Sequence, residues 1–149
     1  MALNCHPTAS HFPTPGLFEK NRISNHVGCE VSITTGAAPV FKDNTIFDGQ
    51  GVGVLVDSDS KGTYEKNTIT NHTLAGMVVI GGASPNVVGN EIKLSGRYGV
   101  YVGQGASGTF SGNNIHGSSL AGIGASLDSL SLSRISLDSL CLPLPLTFN

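Results

Sequence analysis

The sequence has no tryptophan, few charged residues and no long apolar run. Only 12% of its 149 residues are charged and the net charge is −2, so no basic surface is available for nucleic acid or an anionic membrane. No segment reaches the ~18 consecutive apolar residues of a membrane span. The N-terminal MALNCHPTASHFPTPG lacks the apolar core of a signal peptide. We therefore expect one cytoplasmic domain that binds neither nucleic acid nor membrane.

Cysteine is scarce as well. Cys5, Cys29 and Cys141 are an odd number and show neither metal-binding nor redox spacing. Disulfides persist mainly in oxidising compartments. We therefore expect the three thiols to stay reduced.

What the sequence does contain is glycine, with 20 residues, and a repeat of 23 residues marked by asparagine. Isoleucine stands two residues after each repeated asparagine, and a large apolar residue stands three before it. Apolar columns lie ten and twelve residues after it, and glycine stands nine after it in four units of five, with Glu30 as the exception. The repeated asparagines are Asn21, Asn44, Asn67, Asn90 and Asn113. Columns in register over five units indicate a solenoid.

The pattern inside each unit identifies strands as its elements. In GVLVD and GVYVG the apolar residues alternate with period two, as in a strand with one buried face. Turn-forming glycine, asparagine, aspartate, serine and proline lie between these runs. A leucine-rich repeat has a similar length, but it needs leucine columns and a helical or 3₁₀ back, which this sequence lacks. The prediction is an all-β, single-stranded parallel β-helix of about five 23-residue coils.

The asparagine column has a structural interpretation. Stacked coils lie ~4.8 Å apart, so a turn-facing amide can donate to the carbonyl of the same residue one coil away. Asparagine also tolerates the left-handed conformation of a tight corner. We interpret the five asparagines as architectural, and the recurrent glycine as marking either a positive φ or a crowded corner.

Asn-x-Ile followed by Ala-Gly-hydrophobic, with proline and glycine alternating between units, resembles the right-handed parallel β-helix repeat. The residues that carry the resemblance are NTIFDGQGVGVLVDSDSKGTYEKNTITNHTLAGMVVIGGASPNVVGNEI and YGVYVGQGASGTFSGNNI. The chain most resembles the β-helix region of F-box-only ubiquitin-ligase subunits. More widely, it is similar to carbohydrate-binding and sugar-hydrolase β-helices, including bacterial copper-site maturation proteins and polysaccharide epimerases.

This resemblance covers residues 17 to 125. It implies a right-handed winding, in agreement with the crossover rule for parallel strands. It is specific for the fold and weak for function. The sequence shows no F-box, so a ligase role would be inherited from a longer relative.

The two ends differ from the repeat region. Residues 1–16 hold three of the seven prolines and predict an irregular lead-in to the β-helix of residues 17–125. Residues 126–149, SLDSLSLSRISLDSLCLPLPLTFN, form a Ser/Leu-rich low-complexity tail. The tail either caps the last coil with its leucines or is a non-native extension. Five coils make a rod of only ~24 Å, so the chain could also be a fragment of a longer protein.

Sugar hydrolases and lyases on this fold need clustered carboxylates on one face. Asp57 and Asp59 form the only close acidic pair in the sequence. The equivalent positions in the neighbouring coils hold Thr34, Gly36, Ile80 and Gly82. We therefore interpret the pair as a solvated turn, with catalytic or calcium-binding use as the alternative.

Histidine offers no metal site. His26 and His72 occupy equivalent positions but lie two coils, ~10 Å, apart, whereas metal ligands lie within ~2 Å of the ion. The sequon at Asn71, His72 and Thr73 is interpreted as an unused turn. The glycine-rich GQGASG at 103–108 precedes no helix and predicts no phosphate site. We expect neither metal nor cofactor.

The residue eleven positions after each repeated asparagine should point outward between two buried neighbours. Leu55, Val78 and Tyr101 stand there in three consecutive coils and predict an exposed apolar stripe. Such a stripe often marks a partner surface. It could instead be covered, and the leucine-rich C-terminus is the candidate for that role.

The sequence thus favours a non-enzymatic binding scaffold whose protein partner docks on the apolar stripe, as in substrate recognition by F-box-only subunits. The alternative is a polysaccharide-binding or polysaccharide-modifying β-helix, acting as a lyase, hydrolase or epimerase. In that case Tyr98, Tyr101, Asp57 and Asp59 would lie near a groove. The lack of a carboxylate stack in the sequence favours the scaffold.

Overall fold

The computed structural model describes the backbone of residues 3–5, 16–103, 105–126, 135–138 and 147–148. Side-chain burial and contacts are described for residues 16–103 and 105–126. These residues form parallel strands and contain no helix, and so none that could span a membrane. Strands of adjacent coils pair 23 residues apart, as Phe41 does with Tyr64 and Ile46 with Ile69. The prediction of an all-β parallel β-helix of about five 23-residue coils is confirmed.

The strands form three parallel sheets, named A, B and C. Along the chain, each coil contributes one strand to sheet B, then one to sheet C and then one to sheet A. Sheet A contains β1 (Leu3–Cys5), β4 (Cys29–Ile33), β7 (Val52–Val56), β10 (Ala75–Val79), β13 (Tyr98–Val102), β16 (Ala121–Ala125) and β18 (Thr147–Phe148). Sheet B contains β2 (Leu17–Glu19), β5 (Val40–Lys42), β8 (Thr63–Glu65), β11 (Asn86–Val88), β14 (Gly108–Ser111) and β17 (Ile135–Asp138). Sheet C contains β3 (Arg22–Ser24), β6 (Thr45–Phe47), β9 (Thr68–Thr70), β12 (Glu91–Lys93) and β15 (Asn114–His116). Coils 1 to 5 comprise β2–β4, β5–β7, β8–β10, β11–β13 and β14–β16.

Strands at both ends extend the sheets beyond the five coils. β1 pairs with β4, although it lies in segment 1–16, for which the sequence predicts irregular structure. β17 pairs with β14 and β18 pairs with β16, and both lie in segment 126–149. These strands supply backbone partners to sheet edges that would otherwise expose N–H and C=O groups. Apart from Gly16 and Ser126, the rest of both segments lies outside the described residues.

The alternation of side chains along the strands puts one apolar column of each sheet into the core. In sheet C this column is Ile23, Ile46, Ile69, Ile92 and Ile115. In sheet B the rings of Phe18 and Phe41 stack at 4.6 Å, and those of Phe41 and Tyr64 at 5.7 Å. Burial of each such side chain contributes about 1.5–3 kcal/mol. The columns also fix the register, because a slip by one residue would turn every apolar side chain outward.

The B–C corner, between each strand of sheet B and the following strand of sheet C, carries an asparagine ladder. Asn67 Nδ2 donates to Asn90 Oδ1 at 2.9 Å and to the Phe41 carbonyl oxygen at 3.0 Å. Asn67 Oδ1 accepts from the backbone N and Nδ2 of Asn44, at 3.0 and 2.9 Å. The same bonds recur in the adjacent coils. The stacked amides therefore satisfy polar groups that the corner buries.

The left-handed residue of the B–C corner is the one before the asparagine, not the asparagine itself. Lys20, Asp43 and Lys66 have φ values of 55°, 53° and 54°, and Gly89 and Gly112 continue the column at 63° and 60°. The interpretation that asparagine is favoured here for its left-handed conformation is therefore wrong. Because the preceding residue makes the turn, the asparagine amide can point inward and bond to its neighbours.

The recurrent glycine nine residues after each ladder asparagine marks a crowded corner. Gly53, Gly76 and Gly99 have no positive φ. A Cβ on Gly76 would lie 2.4 Å from Ile92 Cγ2 and 2.8 Å from the carbonyl oxygen of Gly99. Of the two interpretations of this glycine, a positive φ or a crowded corner, the crowded corner is therefore correct at these positions.

Candidate binding face and buried polar corner

The outer face of sheet A presents two columns of side chains. Leu55 pairs in register with Val78, and Val78 with Tyr101, and all three side chains are half-buried on the outside of the sheet. The column to which they belong is Ser32, Leu55, Val78, Tyr101 and Gly124. The second column, eight residues after the ladder asparagines, is Cys29, Val52, Ala75, Tyr98 and Ala121, of which the two alanines are buried. None of these ten residues carries a charge, so the face is mostly apolar.

Tyr98 and Tyr101 connect the two columns on β13. Their ring centroids are 5.3 Å apart and the ring planes are tilted by 44°. A Cβ on Gly124 would lie 2.5 Å from Tyr98 Cε1, and a Cβ on Gly103 would lie 3.0 Å from Tyr101 Cε1. Each ring therefore lies against a glycine, which lets it rest close to the backbone. The result is an aromatic pair held by packing and partly open to solvent.

Asp57 and Asp59 lie in the loop after β7, in coil 2, whereas the tyrosine pair lies in coil 4. Asp57 Oδ1 accepts a hydrogen bond from the Ser58 backbone N at 2.6 Å, and Ser58 and Asp59 have φ values of 54° and 58°. In the next coil, a Cβ on Gly81 would lie 2.0 Å from Asp57 Oδ1, and one on Gly82 would lie 2.4 Å from Asp59 Oδ1. The two carboxylates thus overlie a glycine turn. Among the described residues, no group of three His, Cys, Asp or Glu side chains is arranged to hold a metal ion.

A buried polar group lies at the C–A corner, which comprises the loop between each strand of sheet C and the following strand of sheet A and the first two residues of that sheet A strand. Glu30 is fully buried. Its Oε1 accepts from the His26 backbone N at 2.8 Å, and its Oε2 lies 2.6 Å from His26 Nδ1. His72 is 2% exposed, and neither ring nitrogen has a hydrogen-bond partner within the described part of the chain. Burial lowers the pKa of His72, and the charges of Glu30 and Asp48 partly offset this effect.

The C–A corner is filled by residues that complement each other between coils. Five residues after the ladder asparagines stand His26, Gly49, His72, Ser95 and Ser118. Each side chain at this position in coils 3 to 5 lies over the recurrent glycine of the coil before it. A Cβ on Gly53 would lie 3.0 Å from His72 Cε1, and one on Gly76 would lie 3.2 Å from Ser95 Oγ. The side chain of one coil thus occupies the space that the glycine of the previous coil leaves.

Coils 1 and 2 reverse this arrangement. Coil 1 has Glu30 in place of the recurrent glycine, and coil 2 has Gly49 in place of a side chain. A Cβ on Gly49 would lie 2.8 Å from Glu30 Oε1 and 2.7 Å from His72 Cδ2. In the sequence, Glu30 stands out only as an exception to the glycine column, and no motif there connects it with His26 or His72. The signal that could have connected them is that the exceptions at Glu30 and Gly49 fall in adjacent coils.

A depression of ≈ 320 Å³ lies on the outside of the C–A corner in coils 3 to 5. Residues 71–73, 94–96, 117 and 119 line it, and these are uncharged side chains, glycines and His72. None of the residues proposed from the sequence for binding lines this depression. The outer face of sheet A and the C–A corner are therefore separate features of the surface.

The repeat also matches a known family description. A profile described as "Right handed beta helix region" matches residues 12–92, more than half of the chain. The chain belongs to the right-handed β-helix family. Comparison with curated protein sequences gives no match.

One solved structure shows how a β-helix of this kind occurs in a larger protein. The fold is similar to the A-module of the mannuronan C-5 epimerase AlgE6 from Azotobacter vinelandii, with a TM-score of 0.62 and 19% sequence identity. The likeness covers 74% of this chain and 35% of the epimerase chain. At this identity it shows the fold alone. The more specific resemblance to F-box-only subunits is not shown by these comparisons.

Proposed function

We propose that this β-helix is a polysaccharide-binding module that holds a sugar chain on the outer face of sheet A. The observation that carries the proposal is the Tyr98–Tyr101 pair, with ring centroids 5.3 Å apart on a face without charged side chains. A sugar ring has an apolar C–H face and a rim of hydroxyl groups. A tyrosine offers the complementary surface, an apolar ring that ends in a hydroxyl group.

The packing of the two rings supports binding. Because Gly124 and Gly103 let the rings lie against the sheet, the tyrosines have little rotamer freedom left to lose when a ligand binds. Groups held in place before binding give more affinity than mobile ones. The half-buried Leu55 and Val78 continue the face along the solenoid axis from Tyr101.

The lack of charge on the two outer columns of sheet A defines the kind of contact. A sugar chain would contact the tyrosine ring faces, the tyrosine hydroxyl groups and the exposed parts of the aliphatic side chains, and it would form no ion pairs on this face. Binding should therefore change little between low and moderate salt, since only charged contacts are screened. The similarity to a mannuronan-acting epimerase supports a polysaccharide as the ligand class through the fold.

The arrangement of carboxylates supports binding more than cleavage. Glycoside hydrolysis requires two carboxyl groups on opposite sides of the scissile bond. Asp57 and Asp59 come from one loop, and the equivalent positions of the adjacent coils carry no acid. Both carboxylates also overlie the Gly81–Gly82 turn.

Affinity electrophoresis in gels that contain mannuronan, pectate, xylan or a soluble glucan would test the proposal, followed by titration calorimetry with the ligand that retards the protein most. Tyr98→Ala and Tyr101→Ala should each weaken binding by about ten-fold, since loss of an aromatic contact costs ~1–1.5 kcal/mol. Tyr101→Phe should retain most of the affinity. Phe47→Ala is the matched control, because Phe47 is an aromatic residue on the outer face of sheet C, 4.7 Å below Arg22.

The competing hypothesis is that a protein partner docks on the apolar stripe. It predicts that no polysaccharide retards the wild-type chain, and that a protein bound by it is lost in the Leu55→Asp/Tyr101→Asp double variant. That pair of results would overturn the polysaccharide proposal. Retardation by a polysaccharide that the tyrosine variants abolish would reject the competing hypothesis.

A further inference from the structure

The C–A corner of coils 1 to 3 holds a buried stack of Glu30, Gly49 and His72. The carboxylate of Glu30 and the ring of His72 approach Gly49 from opposite coils, at 2.8 and 2.7 Å from the position a Cβ would take. The ring atoms Cδ2 and Cε1 of His72, which flank Nε2, face Gly49 and Gly53 respectively. The Nε2 edge of the imidazole is therefore directed into the contact between coils 2 and 3.

The surroundings of His72 favour the neutral imidazole ring over the protonated ring. Neither nitrogen of the ring has a hydrogen-bond partner among the described residues. Both carboxylate oxygens of Glu30 are already engaged by His26. A buried neutral polar group without a partner is costly, and a buried charge without one is far more costly. Protonation of His72 should therefore force the corner to open toward water.

The charged and titratable groups that face His72 are few. β4 contributes Glu30, and the loop after β6 contributes Asp48. His26, in the loop between β3 and β4, is paired with Glu30. Cys29, next to Glu30, stays neutral because burial, and secondarily the Glu30 charge, raise the pKa of its thiol. Coil 4 presents Ser95, which does not titrate. The two carboxylates favour a proton on His72, but burial outweighs them and lowers its pKa below the usual 6.5.

We propose that the Glu30–Gly49–His72 stack makes the β-helix acid-sensitive in one place: on acidification the C–A corner of coils 1 to 3 opens while coils 4 and 5 stay closed. The unfolded or opened chain takes up a proton on His72 near pH 6.5, whereas the closed corner resists it until lower pH. The contribution of the closed corner is therefore complete above about pH 6.5 and is lost as pH falls from there through the pKa of the folded protein. Coils 4 and 5 carry Ser95 and Ser118 at the same position, so they have no such response. This inference does not depend on the proposed polysaccharide function.

Amide hydrogen exchange of the full chain at pH 7.4 and 5.5, expressed as protection factors to remove the chemical pH effect, tests the proposal. Residues 48–53 and 71–76 should lose protection at pH 5.5 by up to about ten-fold, the limit set by a free histidine of pKa ~6.5. Residues 94–99 and 117–122 should change by less than about two-fold. An equal loss in all coils would overturn the proposal.

Two variants and one direct measurement make the assignment specific. His72→Ser reproduces the chemistry of coils 4 and 5 and keeps the His26–Glu30 pair, so it should abolish the pH difference. His116→Gln, which removes a more exposed histidine on β15, should leave the difference intact. A His72→Ser chain with the full wild-type difference would overturn the proposal.

If His72→Ser does not fold, an NMR titration of the histidine rings in the wild-type chain decides. The ring of His72 must then titrate below pH 6.5 together with the amides of Gly49 and Gly53. Titration of this ring at or above pH 6.5 rejects the proposal.

Discussion

The B–C and C–A corners both bury polar groups, but they accommodate them in different ways. At the B–C corner every coil repeats asparagine, and each amide bonds to its copy in the next coil. At the C–A corner the residues differ from coil to coil, and each fills the space left by its neighbour. Identical residues tolerate little change, because each serves two neighbours at once. Complementary residues leave some buried polar atoms without a hydrogen-bond partner in the described part of the chain, including those of His72 and Ser95. Of these two side chains only His72 can take up a proton, and our proposal of acid sensitivity is therefore confined to its stack.

A break in the asparagine ladder should have the largest effect on stability. Asn67→Ala removes the amide that donates to Phe41 and Asn90 and leaves two N–H donors of Asn44 without an acceptor. Each buried group left unsatisfied costs about 1–3 kcal/mol, so the free energy of unfolding in urea should fall by about 3–5 kcal/mol. Asn114→Ala, at an exposed position of β15, should change it by less than about 0.5 kcal/mol. Similar losses in the two variants would contradict a special role for the ladder.

Filling the recurrent glycine at the C–A corner should have the second largest effect. In Gly76→Ala the new methyl group would lie 2.4 Å from Ile92 Cγ2 and 2.8 Å from a backbone oxygen. Overpacking of this kind costs about 1–3 kcal/mol, measurable as a lower urea midpoint. Gly16→Ala is the control, since its Cβ would meet only the edge of the Phe18 ring at 3.3 Å. If both variants are equally stable, the neighbours of Gly76 can move aside and the corner is less crowded than its distances indicate.

A smaller effect, of opposite sign, is expected at the left-handed position of the C–A corner. Leu94 has a φ of 55°. The other coils place Asn25, Asp48, Asn71 and Gly117 there. A left-handed conformation costs most side chains ~1–2 kcal/mol and asparagine less, so Leu94→Asn should raise the free energy of unfolding by about 0.5–1 kcal/mol. Leu74→Asn, at an exposed leucine without positive φ, should bring no gain. An equal gain in both would show that the benefit comes from removing exposed apolar surface.

The smallest effect is expected on sheet C, between the two corners. A hydrogen bond from Lys93, followed by the charges of Lys93 and His116, lowers the pKa of Glu91. The folded chain therefore holds the proton less tightly than the unfolded chain. The stabilisation is present above pH ~4.5 and is lost as pH falls through the folded pKa. Lys93→Met should cost less than about 0.5 kcal/mol at pH 7, because exposed ion pairs contribute little.

The same measurement at pH 3 should show a smaller cost for Lys93→Met, since Glu91 is then largely protonated in both states. Lys61→Met removes an exposed lysine for which no ion pair is found among the described residues. Its effect on the urea midpoint should not change with pH. A cost of Lys93→Met that is the same at both pH values would show that the aliphatic part of the side chain matters, and not its charge.

How far the sequence predicts the candidate sites differs between them. The register of Leu55, Val78 and Tyr101 follows from the period alone, because a constant coil length stacks equivalent residues. The position of Tyr98 beside Tyr101 does not follow from strict alternation, since residues three apart on a strand face opposite sides. Both tyrosines face outward because Gly99 and Val100 are buried in succession. The two successive buried residues between Tyr98 and Tyr101 therefore put both rings on the same face.

The sequence by itself determined the coil length, the strand content and the columns that run along the solenoid. It could do so because stacking repeats the same environment every 23 residues, and a repeated environment selects a repeated residue. Only the tertiary structure decided which residue turns the B–C corner, how Glu30, Gly49 and His72 share one space, and which way Tyr98 points. These features depend on the volume and direction of side chains in other coils, and a periodic pattern records neither of those quantities.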